Sequence, residues 1–161
     1  MSIVFKRRLV RERVLQYLYA YELNRDNLTE LKSELLSVIK EQPDIMFAED
    51  LINKTIIHID EVDMRIVEKV NNWEMNRIAL IDKILLRIGI TELLFFPDIP
   101  PKVSINEVIE IAKLFSTSGS GKFINGILDS ILNDEKSAGR LNKTGRGLID
   151  ENISKPSGSE K

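Results

Sequence analysis

Residues 81–93 read IDKILLRIGITEL and carry the clearest sign of a helical fold in the chain. Its apolar side chains recur at spacings of three and four, which is the period of a helix with one buried face. They are Ile81, Ile84, Leu85 and Ile88. We expect this helix to begin after Asn76 as its N-cap and to end near Phe96. Since the chain has neither proline nor glycine between Pro43 and Gly89, the surrounding sequence favours helix as well.

Upstream of this stretch, the same period predicts four further helices. An amphipathic helix starts the chain, and a second runs from Asn27, its N-cap, to Pro43. A third opens at Asp44, and a fourth follows Asp60 as far as a break at residues 71–73. The upstream half of the chain is therefore entirely helical.

Downstream, a proline-rich turn at residues 97–101 separates two more helices. We expect Ser104 and Glu107 to form a capping box that starts the sixth helix, and the last helix to span residues 122–132. Gly126 lies inside that last helix at a cost of about 1 kcal/mol relative to alanine, which favours a closely packed neighbouring helix. The sequence predicts an all-α fold of about seven helices.

Length and composition fit one domain followed by a tail. The chain has 161 residues, of which 43% are apolar. We expect residues 1–136 to form a single all-helical domain, and residues 137–161, which lose the helical period and gain glycine, to form a flexible polar C-terminal tail. No apolar run is long enough to cross a bilayer and there is no cysteine, so we expect no membrane association and a cytoplasmic location.

Residue counts exclude most catalytic chemistry. The chain has no cysteine and a single histidine, His58, which leaves no cysteine nucleophile, histidine-dependent triad or multi-histidine metal site. The loop SGSGK at residues 118–122 fails as a phosphate-binding loop, because Ser116 stands at the position of its first glycine and Phe123 at that of its Ser or Thr. We expect no catalytic residue, no metal and no cofactor, and favour a binding protein.

Positive charge is concentrated in two segments of an otherwise acidic chain. Residues 1–13 carry a net charge of +4 and residues 139–147 one of +3, although the whole chain carries -2. Such a distribution favours a basic surface for phosphate and an acidic surface for a cationic partner. A solvated helix end is the simpler alternative for either segment and stays open.

Cationic and aromatic side chains together point to single-stranded RNA as the ligand. Arg7, Arg8 and Arg11 lie at the start of the first helix, and Lys122 is followed by Phe123 at the start of the last. Single strands are bound by cations that contact phosphate and by aromatic faces that stack on bases. For Phe123 a position in the core remains the alternative.

Four blocks of sequence carry a family resemblance. They are RRLVRERVLQYLYAYEL at residues 7–23, IDKILLRIGITEL at 81–93, DIPPKVSINEVIEIAKLF at 98–115 and KFINGILD at 122–129. Their order and spacing resemble those of the bacterial NusB family. The resemblance implies two small helical bundles packed together and no enzymatic activity. It further implies binding to the boxA element of nascent ribosomal RNA together with NusE, a ribosomal small-subunit protein, within the RNA polymerase antitermination complex.

The resemblance also implies roles for individual residues. Those it places on RNA are Arg7, Arg8, Arg11, Lys122 and Phe123. Those it places on NusE are Tyr19 and Asp82. Leu9 stands where a further arginine can occur in the family, and the loop at residues 116–121 lacks the acidic residue that some members carry there.

Three alternatives stay open. The first is a protein adaptor or ribosome-assembly factor that binds NusE and contacts RNA only incidentally. The second is a NusB-like domain of a ribosomal RNA cytosine methyltransferase, which the absence of a cysteine nucleophile and of a catalytic domain in this sequence disfavours. The third concerns oligomeric state: a homodimer would bury the basic surface.

Overall fold

The computed structural model describes residues 3–149, with side chains from residue 6 onward, and consists of helices joined by short connections. The seven α-helices are α1 (Ile3–Leu23), α2 (Leu28–Leu36), α3 (Gln42–Ile57), α4 (Ile59–Met75), α5 (Leu80–Phe95), α6 (Pro101–Phe115) and α7 (Ser120–Ser137). A single 3-10 turn follows at Gly145–Leu148. Residues 3–149 contain no β-strand, so the predicted all-α fold is confirmed.

The helices form two small bundles that share one central helix. Helices α1–α3 make the first bundle and α4–α7 the second, and α5 packs on α1 and α3 as well as on every other helix of its own bundle. All residues from Ile84 to Leu93 of α5 are buried. The stretch at residues 81–93 therefore forms the core that holds both bundles together.

Two predicted helix starts are wrong. Asn76 is the C-cap of α4 rather than the N-cap of α5, which begins only at Leu80. Helix α6 begins at Pro101, where a missing N–H costs nothing because the first helical N–H groups have no partner in the helix. Ser104 is thus inside α6, and its buried hydroxyl donates to Glu92 Oε1 at 2.8 Å instead of capping the helix.

The break predicted at residues 71–73 is a kink within α4. Asn71 has φ 67° and ψ 168°, outside the helical region, and the helix continues beyond it to Met75. The side-chain oxygen of Asn71 accepts from the backbone N–H of Glu74 at 2.9 Å. This bond restarts the last turn in the way that an N-cap starts a helix.

The close helix approach lies at Gly89 of α5 rather than at Gly126. A Cβ on Gly126 would have no atom within 4 Å, so the sequence-based explanation for that glycine is wrong. A Cβ on Gly89 would lie 2.9 Å from Leu128 Cδ1 of α7 and 3.6 Å from Val108 of α6. Glycine at this position leaves room for the Leu128 side chain of α7 against α5.

Residues 138–149, called the strap from here on, pack against the C-terminal end of α5, in contrast to the flexible tail expected from residue 137. The ammonium of Lys143 is buried and donates to two backbone carbonyls at that end of α5, at 3.0 and 2.8 Å. Gly147 packs so closely on Pro97 that a Cβ there would lie 1.8 Å from its carbonyl oxygen. Residues 150–161 of the expected tail lie outside the described part of the chain.

Candidate functional site

Arg7 lies at the edge of the first bundle. Its Nε donates to Asp44 Oδ1 of α3 at 2.8 Å, and its guanidinium carbon lies 4.4 Å from the centre of the Phe47 ring. One third of the side chain remains exposed. A guanidinium held in this way keeps donors available on its exposed side.

Arg8 joins α1 to α6. Its guanidinium makes two hydrogen bonds to the carboxylate of Glu107, at 2.8 and 3.1 Å, and the Glu107 carboxylate raises the pKa of Arg8 above its ordinary value. The side chain of Glu107 is nearly buried, whereas that of Arg8 is 23% exposed. Arg8 therefore joins the two bundles through its ion pair with Glu107, and part of its side chain is still exposed to solvent.

Arg11 is buried, which corrects its sequence-based assignment to the RNA-binding surface. Only 2% of the residue is exposed, and its guanidinium bonds both oxygens of Glu92 at 2.8 and 2.7 Å. Burial on its own lowers the pKa of Arg11, and the adjacent Glu92 carboxylate more than offsets this, so that the pKa is raised. A phosphate could reach Arg11 only by displacing a buried partner, so its role is to join α1 to α5.

Lys122 and Phe123 are exposed in the first turn of α7, as expected. Lys122 borders a cleft of about 510 Å³ together with Asn106 and Lys113 on the outer side of α6. Phe123 is 39% exposed, which disfavours the alternative of a core position. It lines a second cleft, of about 400 Å³, on the side toward α4.

This second cleft contains aromatic and cationic groups that sequence reasoning missed. Trp73 is 65% exposed, and the guanidinium carbon of Arg77 lies 4.4 Å from the centre of a Trp73 ring. Both residues line the cleft with Phe123. The available signal was the single tryptophan of the chain at a predicted helix break, where a side chain has little reason to be buried.

The two residues assigned to NusE differ in exposure. Tyr19 is 38% exposed on α1. Asp82 is only 8% exposed, and its carboxylate accepts from Ser116 Oγ at 2.6 Å and from Ser120 Oγ at 2.8 Å. Asp82 thus fixes the connection between α6 and α7, whereas Tyr19 presents its ring to solvent.

Helix α6 runs between two clefts that contain cationic side chains, one with Arg7 and the other with Lys122. Near its start, Val103 and Glu107 line a third cleft, of about 540 Å³, with Arg7 of α1. Near its end, Lys113 lines the cleft with Lys122. Val103 and Lys113 are about 15 Å apart along the helix at 1.5 Å per residue. We call this surface, from the Arg7 cleft to the Lys122 cleft, the α6 face.

Neither a metal-binding cluster nor a membrane-spanning helix is found among the described residues. No group of three or more His, Asp or Glu side chains within residues 3–149 is arranged to hold a metal ion. His58 lies between α3 and α4 and stacks on Phe95, with ring centres 3.9 Å apart, as a partly buried structural residue. None of the helices in this part of the chain has the length and apolar character of a membrane span.

Two packed bundles with one cationic face flanked by aromatic rings define a class of small all-helical binding proteins. The family model described as NusB family matches residues 8–133, which is most of the chain. The chain belongs to the NusB family.

Relatives with known names agree with this assignment. The transcription antitermination protein NusB of Chloroherpeton thalassium is 45% identical, over 92% of this chain and 71% of that protein. The protein of the same name from Salinibacter ruber is 48% identical, over 89% of this chain and 91% of its own length.

Solved structures share the fold. T. maritima NusB superposes with a TM-score of 0.73 and 36% identity, over 80% of this chain and 91% of that one. A chain from the crystal structure of antitermination factors NusB and NusE in complex with dsRNA superposes with a TM-score of 0.72 and 26% identity, over 80% of this chain and 97% of that one. The predicted family and two-bundle fold are confirmed.

Proposed function

We propose that this chain is a non-enzymatic transcription antitermination factor of the cytoplasm. It binds the boxA element of nascent ribosomal RNA together with ribosomal protein NusE and joins the RNA polymerase antitermination complex. Relatives that cover most of the chain carry the name transcription antitermination protein, and a structural neighbour was solved with NusE and RNA. The observation in this chain that carries the proposal is the α6 face.

The α6 face supports binding of a single strand by phosphate contact and stacking. Lys122 supplies a charge that pairs with no carboxylate among residues 3–149, and the ring of Phe123 is exposed beside it. Arg7 supplies the exposed side of its guanidinium at the other end of the face. We leave Arg11 out of this site because it is buried.

Tyr19 is the residue that we propose to contact NusE directly. Its ring is exposed on α1, and a tyrosine offers apolar area and a hydroxyl to a protein partner. Asp82 would act through position, because its carboxylate holds the two serines that fix the start of α7. In this proposal, substitution of Asp82 weakens binding of both NusE and RNA. The RNA-binding residues Lys122 and Phe123 are affected because they lie directly after the serines that Asp82 holds.

The test is fluorescence anisotropy of labelled boxA RNA against a scrambled strand, with and without NusE. Phe123→Ala should weaken boxA binding about 5- to 150-fold, the range that corresponds to 1–3 kcal/mol for one stacked base. Lys122→Ala should reduce the slope of log K against log salt by about 0.7, the value for one phosphate contact on a single strand. Lys136→Ala is the matched control, because Lys136 is exposed about 20 Å along α7 from Lys122.

One observation favours a second function, that of a protein adaptor for NusE. Arg7 and Arg8 already pair with Asp44 and Glu107, so part of the basic start of α1 serves the fold. In that case Tyr19→Ala abolishes NusE binding, whereas Lys122→Ala and Phe123→Ala leave RNA affinity unchanged. The same anisotropy series decides between the two functions, and a size measurement over a range of concentrations tests for the homodimer.

A further inference from the structure

The strap places an additional arginine at the edge of the α6 face. Arg146 lies in the 3-10 turn of the strap and lines the cleft of about 540 Å³ that also contains Arg7. The strap thereby brings part of the second basic segment of the sequence next to the first. Arg7 and Arg146 are 139 positions apart along the chain.

Arg146 differs from the other arginines at this end of the molecule in having no acidic partner among the described residues. Arg7, Arg8 and Arg11 each pair with a carboxylate, whereas no carboxylate of residues 3–149 forms an ion pair with Arg146. Asp98 is the acidic residue that lines the same cleft without pairing with a cation there. The guanidinium of Arg146 therefore keeps its donors for a ligand.

The position of Arg146 is built rather than accidental. Lys143 fastens the strap to the end of α5 through its two carbonyl bonds, and the N–H of Thr144 donates to Pro97 O at 2.9 Å. Gly147, directly after Arg146, fits against Pro97 only because it has no side chain. These anchors on both sides of Arg146 fix its backbone beside the cleft.

The lining of the cleft suits a nucleotide. Arg7 and Arg146 offer charge for phosphate, and the half-exposed apolar side chains of Val103 and Ile149 offer a surface for a sugar or a base. The cleft is the Arg7 end of the α6 face, because Val103 and Glu107 belong to α6. Charge and continuity both favour the same strand of RNA as the occupant.

We propose that the strap extends the RNA-binding surface, with Arg146 and Arg7 holding one backbone phosphate of single-stranded RNA next to the segment bound along α6. The inference rests on the proposed function, since it takes RNA as the ligand of the α6 face. It assigns a binding role to the strap and makes Lys143 a positioning residue that acts through Arg146.

The experiment uses the full chain and a labelled boxA RNA flanked on both sides by uridines, titrated at several salt concentrations. Arg146→Ala should weaken binding and reduce the slope of log K against log salt by about 0.7. Lys143→Met should have the same effect, because it releases the strap. The double variant should be no weaker than either single variant, since both remove the same phosphate contact. Lys136→Ala is the control for loss of one positive charge.

The outcomes separate the inference from the proposed function. Circular dichroism first verifies that each variant is folded. If Lys122→Ala and Phe123→Ala weaken binding while Arg146→Ala changes neither affinity nor slope, the inference is overturned and the proposed function stands. If none of these variants changes RNA binding, the proposed function itself fails. Loss of NusE binding in Arg146→Ala, with RNA affinity unchanged, would make the cleft a protein contact and would also overturn the inference.

Discussion

Arg11 shows how a single residue can be misassigned from its neighbours. It stands among basic residues, and charge alone places it with them on the surface. Its position on the helix indicates the buried face instead. Arg11 precedes Val14 by three residues and Leu18 by seven, which places all three on one face, and Val14 and Leu18 are buried. Its partner Glu92 likewise occurs within the most apolar helix of the chain. Phase could have predicted that Arg11 is buried, whereas only the tertiary structure identifies Glu92 as its partner.

Removing Glu92 should destabilise the fold strongly. Glu92→Ala leaves the guanidinium of Arg11 buried and unpaired, which typically costs about 3–5 kcal/mol. Urea denaturation measures the change in the free energy of unfolding. Glu110→Ala is the control, because its pair with Lys113 is exposed to solvent and should contribute far less to stability than the buried pair. If the two variants lose the same free energy of unfolding, the buried ion pair stabilises the fold no more than the exposed one.

The two helical glycines should respond to alanine with opposite signs. Gly126→Ala adds a methyl group in open space on α7 and should stabilise the protein by about 1 kcal/mol through helix propensity. Gly89→Ala forces the Leu128 side chain away from α5, so thermal unfolding should occur at a lower temperature. A lower melting temperature for Gly126→Ala would contradict the open space found around it.

At the level of elements, sequence patterns predict which segments are helical better than where the helices end. The apolar period identified seven helices because each buries one face against the others. Helix starts at Pro101 and Leu80 escaped prediction, since Ser104 and Asn76 looked like caps while tertiary contacts decided the ends. The strap escaped because its anchors bind to α5 and Pro97, distant in sequence, and leave no periodic pattern.

The anchor of the strap should make stability depend on pH in the alkaline range. Burial lowers the pKa of Lys143 from 10.5 to about 8, although Glu92 and Asp98 partly oppose this. Between about pH 8 and pH 10.5 the unfolded chain therefore binds more protons at this group than the folded chain. The contribution of Lys143 to stability should rise with pH across that window and stay constant below it.

Comparison with Lys143→Met isolates this contribution. Urea denaturation of the two proteins at about pH 8 and about pH 10 gives the difference in their free energies of unfolding. As the pH rises from about 8 to about 10, the free energy of unfolding of the unsubstituted chain should increase relative to that of Lys143→Met. A difference that stays constant over the window would mean that Lys143 titrates alike in the folded and unfolded states.

On the scale of the whole molecule, the charge distribution predicted a basic surface, and the structure shows how it is assembled. The basic start of α1 and the basic strap meet at the cleft that contains Arg7 and Arg146. Sequence alone could not bring them together, because their contact depends on how the strap packs on α5. The aromatic part of the site was half predicted: Phe123 was identified, whereas the contact between Trp73 and Arg77 beside it was not.

The two bundles should unfold as one cooperative unit. Helix α5 belongs to the second bundle, yet α1 and α3 of the first bundle bury part of its surface, so neither bundle has a complete core alone. Ion pairs among the described residues also join the bundles, for example Arg8 to Glu107, Arg11 to Glu92 and Arg87 to Glu22. Native-state hydrogen exchange at increasing urea should give the slowest amides of α3 and α7 the same opening free energy. An opening free energy for α3 lower by more than about 1 kcal/mol would mean that the first bundle opens separately, and that the shared helix does not couple the bundles.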